Sequence, residues 1–269
     1  MIIKDIPALG LGTFRLQGEQ AYQAVTDALD VGFRHIDTAQ IYDNESEVGQ
    51  ALVDSEVPRE EYFLTTKVWR THLNRTGFIP SVKESLEKLG TDYVDLLLIH
   101  WPSPEDKTPM DEYLGELVKA KEMGLTKHIG VSNFTIAQLK EALHILPSGS
   151  LYVNQIEVQP FMQNREVRAF CATNDVKVTG YNPFYVGEVL KDEVILAIAK
   201  KHNTSAAQVA LAWQLQSGLI TIPASTNIEH MRDNFNSTRL TLASDDLVAI
   251  GKLDRGDRKI DPSFAPDWD

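Results

Sequence analysis

At 269 residues with 43% hydrophobic content, the chain can bury a sizeable core as one large α/β domain or two small ones. Its net charge of −12 argues against nucleic acid, whose affinity is built from Lys and Arg on phosphates, yet leaves room for a local basic pocket. Cys171 is the only cysteine, so neither an internal disulfide nor a Cys-based metal site can form, and MIIKDIPALG lacks a basic-then-apolar signal pattern. With no apolar run long enough for a bilayer, the expectation is a soluble cytoplasmic protein with no membrane partner.

In chain order, short strand patterns alternate with helical ones. Strands are expected at residues 9–14, 33–38, 62–68, 93–100, 128–133, 152–158, 177–182 and 219–225. Runs such as VDLLLI are nearly continuous in apolar residues, as parallel strands buried on both faces require. IPSVKESLEKLG reads as a helix closing on Gly90, and TIAQLKEALHIL has apolar residues at helical spacing. Eight such units with no linker-like break predict a single (β/α)8 barrel domain, of the TIM type, over residues 1–269. A doubly wound sheet is the alternative. It would carry G-x-G-x-x-G after its first strand, and LGLGTF runs into RLQG without the third glycine.

The stretch GFRHIDTAQIYDNESEVG, residues 32–49, organises the rest. It begins as a strand and ends as a helix, and Asn44 with Glu47 forms a capping-box pattern at the helix start. Asp37 at the strand end and Tyr42 in the turn can then face one pocket. Other strand ends carry Lys67, His100, Ser132 with Asn133, and Tyr181, with Gln155 inside the sixth strand and Ser225 ending the eighth. In a barrel these ends open onto one face. Each residue alone has a plain structural explanation: Asp37 could pair with Arg34, Tyr42 could be an interface aromatic, and Trp69 and Trp101 could be core. Together, Asp, Tyr, Lys and His make a proton-transfer site, and no shared structural reason puts them at neighbouring strand ends.

The long stretch resembles the signature of the aldo-keto reductases. LTTKVW, LIHWP, IGVSNF, YVNQIEVQP, GYNP and TIPAST follow in that family's order, and the tail FAPDWD is most similar to its bacterial 2,5-diketo-D-gluconate-reducing branch. The resemblance implies a barrel that reduces small carbonyl compounds (a sugar ketoacid, methylglyoxal, β-keto esters) with a nicotinamide cofactor and no Rossmann domain. It places the catalytic tetrad on Asp37, Tyr42, Lys67 and His100. Tyr42 would be the acid, Lys67 its activator held by Asp37, and His100 the group that orients the carbonyl. A free phenol titrates near ~10, so a nearby ammonium is expected to lower Tyr42.

The resemblance assigns Thr13, Ser132, Asn133, Gln155, Tyr181, Asn182 and Phe184 to the cofactor. The segment after Tyr181 would be a lid, and Ser225, Thr226, His230, Arg232 and Asn234 would hold the adenosine phosphate. Phe14, Trp69 and Trp101 would wall the substrate. The motif departs from the family at Ala224, where a Lys commonly meets the 2′-phosphate. NADPH is still favoured, with NADH possible. A monomer is the family expectation. Two other classes compete: a non-catalytic cofactor-sensing relative, disfavoured by the intact tetrad, and a metal-dependent barrel hydrolase or isomerase, disfavoured because His100 is the only histidine expected to end a strand.

Overall fold

The computed structural model describes residues 1–103 and 107–269. A short antiparallel hairpin, β1 (Ile2–Ile3) with β2 (Ile6–Pro7), precedes the main sheet. The alternation then runs β3 (Leu11–Gly12), α1 (Gly18–Val31), β4 (His35–Asp37), α2 (Glu45–Asp54), β5 (Phe63–Val68), α3 (Phe78–Leu89) and β6 (Val94–Ile99). It continues with α4 (Met110–Glu122), β7 (Thr126–Ser132), α5 (Ile136–Ile145), β8 (Leu151–Glu157), α6 (Arg165–Thr173) and β9 (Lys177–Tyr181). Last come α7 (Glu193–His202), α8 (Ala206–Gln216), β10 (Ile220–Thr221), α9 (Ile228–Asn236) and α10 (Ser244–Gly251). Strands β3 to β10 pair in sequence order and in parallel. The sheet closes where Leu9 bridges Thr221 and Gly12 N–H donates to the Pro223 carbonyl at 3.0 Å.

The eight expected strands are all present, and seven match within two residues at each end. The first and last are shorter than expected, at two residues each. The seam explains this. Pro223 has no N–H to donate, and a Cβ on Gly12 would lie 2.8 Å from the Ile222 carbonyl oxygen, so the backbones close on each other without a regular ladder. Two helices, α7 and α8, occupy the crossover before β10 where one was expected.

Helices form because their apolar residues recur at helical spacing. On α1, Ala21, Ala24, Val25, Ala28 and Leu29 are buried together, and Gly32 at φ +112° ends the helix. This outer layer, between helices and sheet, holds the larger apolar cluster. A smaller one of Ile6, Phe63, Leu96, Leu98, Val153 and Ile220, with Tyr152, joins the hairpin to the strands. The strand period of two then sets the column Phe63, Thr65, Lys67 on one face of β5, apolar at its amino end and charged at its carboxyl end. No helix among the described residues is long and apolar enough to cross a membrane.

Candidate active site

Lys67 is fully buried, which an ammonium tolerates only when paired. Its Nζ donates to Asp37 Oδ1 at 2.5 Å and to the Thr38 carbonyl at 2.8 Å. Asp37 Oδ2 accepts from Gln155 Nε2 at 2.7 Å. Burial pulls the Lys67 ammonium below its ordinary value, and the Asp37 carboxylate opposes that shift. Asp37 therefore serves Lys67 and not Arg34, whose guanidinium donates to the Leu29 and Phe33 carbonyls.

Tyr42 closes a single 3-10 turn, Gln40–Tyr42, and Asp43 in left-handed backbone (φ 52°) leads into α2. The helix begins where the sequence predicted, after Asn44, but the capping box does not form. The Asn44 side chain is buried and points elsewhere: Nδ2 donates to the Thr13 and Leu16 carbonyls, and Oδ1 accepts from Thr38 Oγ1. Three buried polar groups outbid a solvent-facing cap, and the result ties the first strand's loop to the Tyr42 turn. The Gln40 side chain performs a similar task, accepting from Trp69 N–H at 2.8 Å and donating to Ser81 and Ser85 on α3. Gly49 is required because a Cβ there would collide with the Lys88 carbonyl of α3.

The Tyr42 ring lies 5.1 Å from Phe14, 5.5 Å from His100 and 5.0 Å from Lys67 Nζ. These four residues do meet. The expected lowering of the phenol is not found at rest: burial, and then the Asp37 charge, push it well above its ordinary value. Lys67's charge is spent on Asp37, which sits on the same side. His100 is held well below its usual range, by burial first and by Lys67 second, so the imidazole is neutral. Its Nδ1 is buried with no hydrogen-bond partner among the described residues. A lone pair bears such isolation better than an N–H, which leaves the proton on Nε2 as a donor.

Around these groups stands an aromatic wall. Trp69 packs edge-on to His100 at 5.2 Å, and Trp101 is buried beside it. The last residues of the chain complete the wall: Phe264 lies 5.8 Å from Trp69 and 5.5 Å from Trp101, and Trp268 lies 6.0 Å from Trp101. Phe264 was missed in the sequence reading. An aromatic residue between prolines in an otherwise polar tail was the available signal.

Ser132, Asn133, Gln155 and Tyr181 converge at the carboxyl ends of β7, β8 and β9. Ser132 Oγ donates to the Gln155 carbonyl, Asn133 Nδ2 donates to Ser132 Oγ and the His100 carbonyl, and Tyr181 Oη donates to Asn133 Oδ1 at 2.8 Å. Asn133 holds a left-handed backbone (φ 64°) that turns its amide into this cluster. Thr13 is fully buried, with its hydroxyl and its N–H both on the Asp37 carbonyl.

The segment after Tyr181 runs through left-handed residues at Asn182, Tyr185 and Val186, with Phe184 packed against the core. It is fastened to the tail: Tyr185 Oη donates to Asp257 Oδ1 at 2.6 Å. Beneath both lies Glu157, a fully buried carboxylate at the end of β8. It accepts from Asn182 Nδ2 (3.1 Å), Lys259 N–H (3.0 Å) and Ile260 N–H (2.9 Å), and burial raises it above the usual carboxylate value. Glu157 and Asp257 were not singled out in the sequence; only the fold brings them to the segment after Tyr181.

The residues expected to hold the phosphate lie at and just before α9. Ser225 Oγ bonds Asn227 backbone, Thr226 and His230 are exposed, and Asn234 is buried. Asn227 Oδ1 caps the helix by accepting from Glu229 N–H and His230 N–H. Arg232 forms an ion pair with Glu229, one turn earlier, and Ala224 is exposed.

The chain matches the model of the aldo/keto reductase family over residues 8–255. It is 48% identical to "Methylglyoxal reductase DkgB" of Escherichia coli O157:H7 over 265 residues, covering 98% of this chain and 99% of that one. It is 40% identical to the "9,11-endoperoxide prostaglandin H2 reductase" of Trypanosoma cruzi, covering 94% and 89%. A crystal structure described as that of a 2,5-diketo-D-gluconic acid reductase B superposes with TM-score 0.95 at 39% identity, covering 98% and 94%. MGS-M4, an aldo-keto reductase from a Medee basin deep-sea metagenome library, does so with TM-score 0.91 at 37% identity, covering 97% and 96%. Barrel, strand-end site and relatives agree over nearly the whole length, and the chain belongs to the aldo/keto reductase family, as an oxidoreductase of carbonyl compounds.

Proposed function

We propose that this reductase acts on small aldehydes and ketones, methylglyoxal and 2,5-diketo-D-gluconate among them, with Tyr42 as proton donor. The whole chain would work as one barrel domain, monomeric and cytoplasmic. The observation that carries the reading is the buried Asp37–Lys67 pair, 5.0 Å from the Tyr42 ring and beside a neutral His100. A purely structural pair has no need of a phenol and an imidazole at its open end.

The residues fit a nicotinamide cofactor. Ser132, Asn133 and Gln155 present hydroxyl and amide groups that match a primary carboxamide donor for acceptor, and Tyr181 offers a ring face beside them. Thr13, Asn182 and Phe184 border this region, and Ser225, Thr226, His230, Arg232 and Asn234 would hold the adenosine end. When bound, the nicotinamide supplies the hydride. Everything else falls to the protein. His100 Nε2–H donates to the carbonyl oxygen and polarises it; Phe14, Trp69 and Trp101 exclude water and hold the substrate's apolar parts. As negative charge grows on that oxygen, Tyr42 passes it a proton. Burial keeps the phenol protonated until then, as a donor must be. Once the proton has left, the ammonium of Lys67 faces a phenolate and stabilises it, while Asp37 keeps Lys67 charged and aimed.

NADPH is the favoured form, with NADH accepted. An exposed ion pair such as Arg232–Glu229 is worth about 0–1 kcal/mol, so Arg232 can leave it for a 2′-phosphate, but without a lysine at position 224 the grip is weaker. The test follows loss of nicotinamide absorbance with each cofactor and each of the two substrates. Turnover with NADPH, slower with NADH, supports the reading. Cofactor binding without turnover of any carbonyl compound would overturn it and return the sensing role.

A further inference from the structure

The aromatic wall has a charged outer edge that the reaction does not use. Arg15 directly follows Phe14, and Arg70 directly follows Trp69, so each is the residue after a wall aromatic on a loop past a strand's carboxyl end. Both side chains lie back over the wall. The Arg15 guanidinium is 5.2 Å from the Phe14 ring, which is itself 5.1 Å from Tyr42. The Arg70 guanidinium is 4.3 Å from the Phe264 ring and 5.7 Å from Trp69, which is 5.2 Å from His100. Each reactive ring is thus reached from a guanidinium across one intervening aromatic.

Neither guanidinium has a hydrogen bond or ion pair among the described residues. Of the other arginines only Arg239 is equally bare among the described residues, in a chain whose acidic side chains outnumber basic ones 38 to 26. Arg59, Arg165, Arg232 and Arg255 all find carboxylates. A third arginine, Arg258, covers Trp268 at 3.6 Å, but it is half-buried and its charge is opposed by Glu157, Asp261 and Asp269. Among the described residues, Arg15 and Arg70 are the arginines on the wall's rings that no carboxylate opposes. Resting on a ring also limits the loss of side-chain freedom on binding, and it leaves the in-plane N–H donors free for a planar, two-oxygen acceptor.

We propose that Arg15 and Arg70 form an anion-selecting rim, which makes the enzyme favour carbonyl compounds bearing a carboxylate over neutral ones of the same shape. The inference rests on the reductase reading above and narrows its substrate class. The rim stands one ring away from Tyr42 and His100, so the favoured compound carries its carboxylate several bonds from the reacting carbonyl. A carboxylate on the reacting carbon itself would fall short of both guanidiniums.

The test uses a matched pair, 4-carboxybenzaldehyde and the neutral methyl 4-formylbenzoate, with the ratio of their kcat/KM values as readout. The wild-type ratio is expected to favour the acid by about 5–10-fold at low ionic strength, the range of a partly exposed charge contact, and to shrink in about 0.5 M NaCl. In the Arg15→Gln/Arg70→Gln double variant it should approach one. Lys83→Gln, an exposed charge on α3 that removes one unit of the same sign, should leave it unchanged. A wild-type ratio at or below one, or a ratio that survives the double substitution, overturns the rim. Turnover of the ester without preference for the acid overturns the rim alone. Turnover of neither compound while methylglyoxal is reduced overturns the rim alone; no turnover of these two or of methylglyoxal overturns the reductase reading and the rim with it.

Discussion

Gln155 and Asp37 are joined across the barrel: Nε2 of one donates to Oδ2 of the other at 2.7 Å, over 118 residues of chain. With Lys67 on Oδ1 at 2.5 Å, the carboxylate is held from two strands, and none of the three side chains reaches bulk water. Breaking such a pair costs more than the pair is worth, because the survivor stays buried and charged. Lys67→Met should therefore destabilise the fold by about 3–5 kcal/mol in urea unfolding, and Lys67→Met/Asp37→Asn should recover part of that. A single variant as stable as the wild type would show that water reaches Asp37.

Tyr42→Phe removes a hydroxyl and little packing, since the ring contacts with Phe14 and His100 remain. Carbonyl reduction should fall by about 10²–10⁴-fold, the usual contribution of a positioned proton donor. NADPH affinity, read from quenching of tryptophan fluorescence, should hold. Wild-type turnover in this variant would remove Tyr42 as the acid.

His35 and His100 are both buried, and burial is the first cause of the lowered value of each. In the unfolded chain they take up protons near pH ~6.5; in the folded chain they resist until lower pH. Below that point the unfolded state binds more protons, so stability is complete above about pH 6.5 and declines as pH falls toward the folded values. Urea midpoints measured from pH 7.5 down to 5 should fall, and His100→Gln should flatten the decline. A flat wild-type profile would contradict the burial of neutral imidazoles.

Ala224 and the Arg232–Glu229 pair make cofactor choice adjustable. Ala224→Lys should raise the NADPH-to-NADH ratio of kcat/KM by about tenfold, and Arg232→Ala should lower it by a similar factor, as expected for one charge-assisted phosphate contact. If Arg232→Ala leaves the ratio untouched, the 2′-phosphate is held elsewhere.

Glu157 holds the proposed lid through Asn182 and the tail through Lys259 and Ile260. Glu157→Gln keeps the shape but turns one acceptor into a donor facing N–H groups. Both cofactor affinity and substrate KM should worsen, by about 5–20-fold each, since a buried mispaired donor costs about 1–3 kcal/mol. A change in only one of them would uncouple lid from tail.

Much of this was legible in the chain because it is local. Continuous apolar runs such as VDLLLI define parallel strands, and the period of two along FLTTKV puts Lys67 at the open end. The Asn44 cap misled because two of its competing partners, Thr13 and Leu16, arrive from the loop after another strand. The Tyr42 shift misled for a different reason: the sequence names the ammonium and the carboxylate that holds it, but not the burial that raises the phenol more than any neighbouring charge does.

The sequence by itself determined the order of strands and helices and the presence of Asp37, Tyr42, Lys67 and His100 at neighbouring strand ends. Those follow from backbone periodicity, which depends only on adjacent residues. Only the tertiary structure decided that Phe264 closes the wall, that Glu157 fastens lid to tail, and that Arg15 and Arg70 stand unpaired at the mouth. Such facts depend on which buried or charged groups meet across the barrel, where the low dielectric makes each pairing, or each lack of one, count.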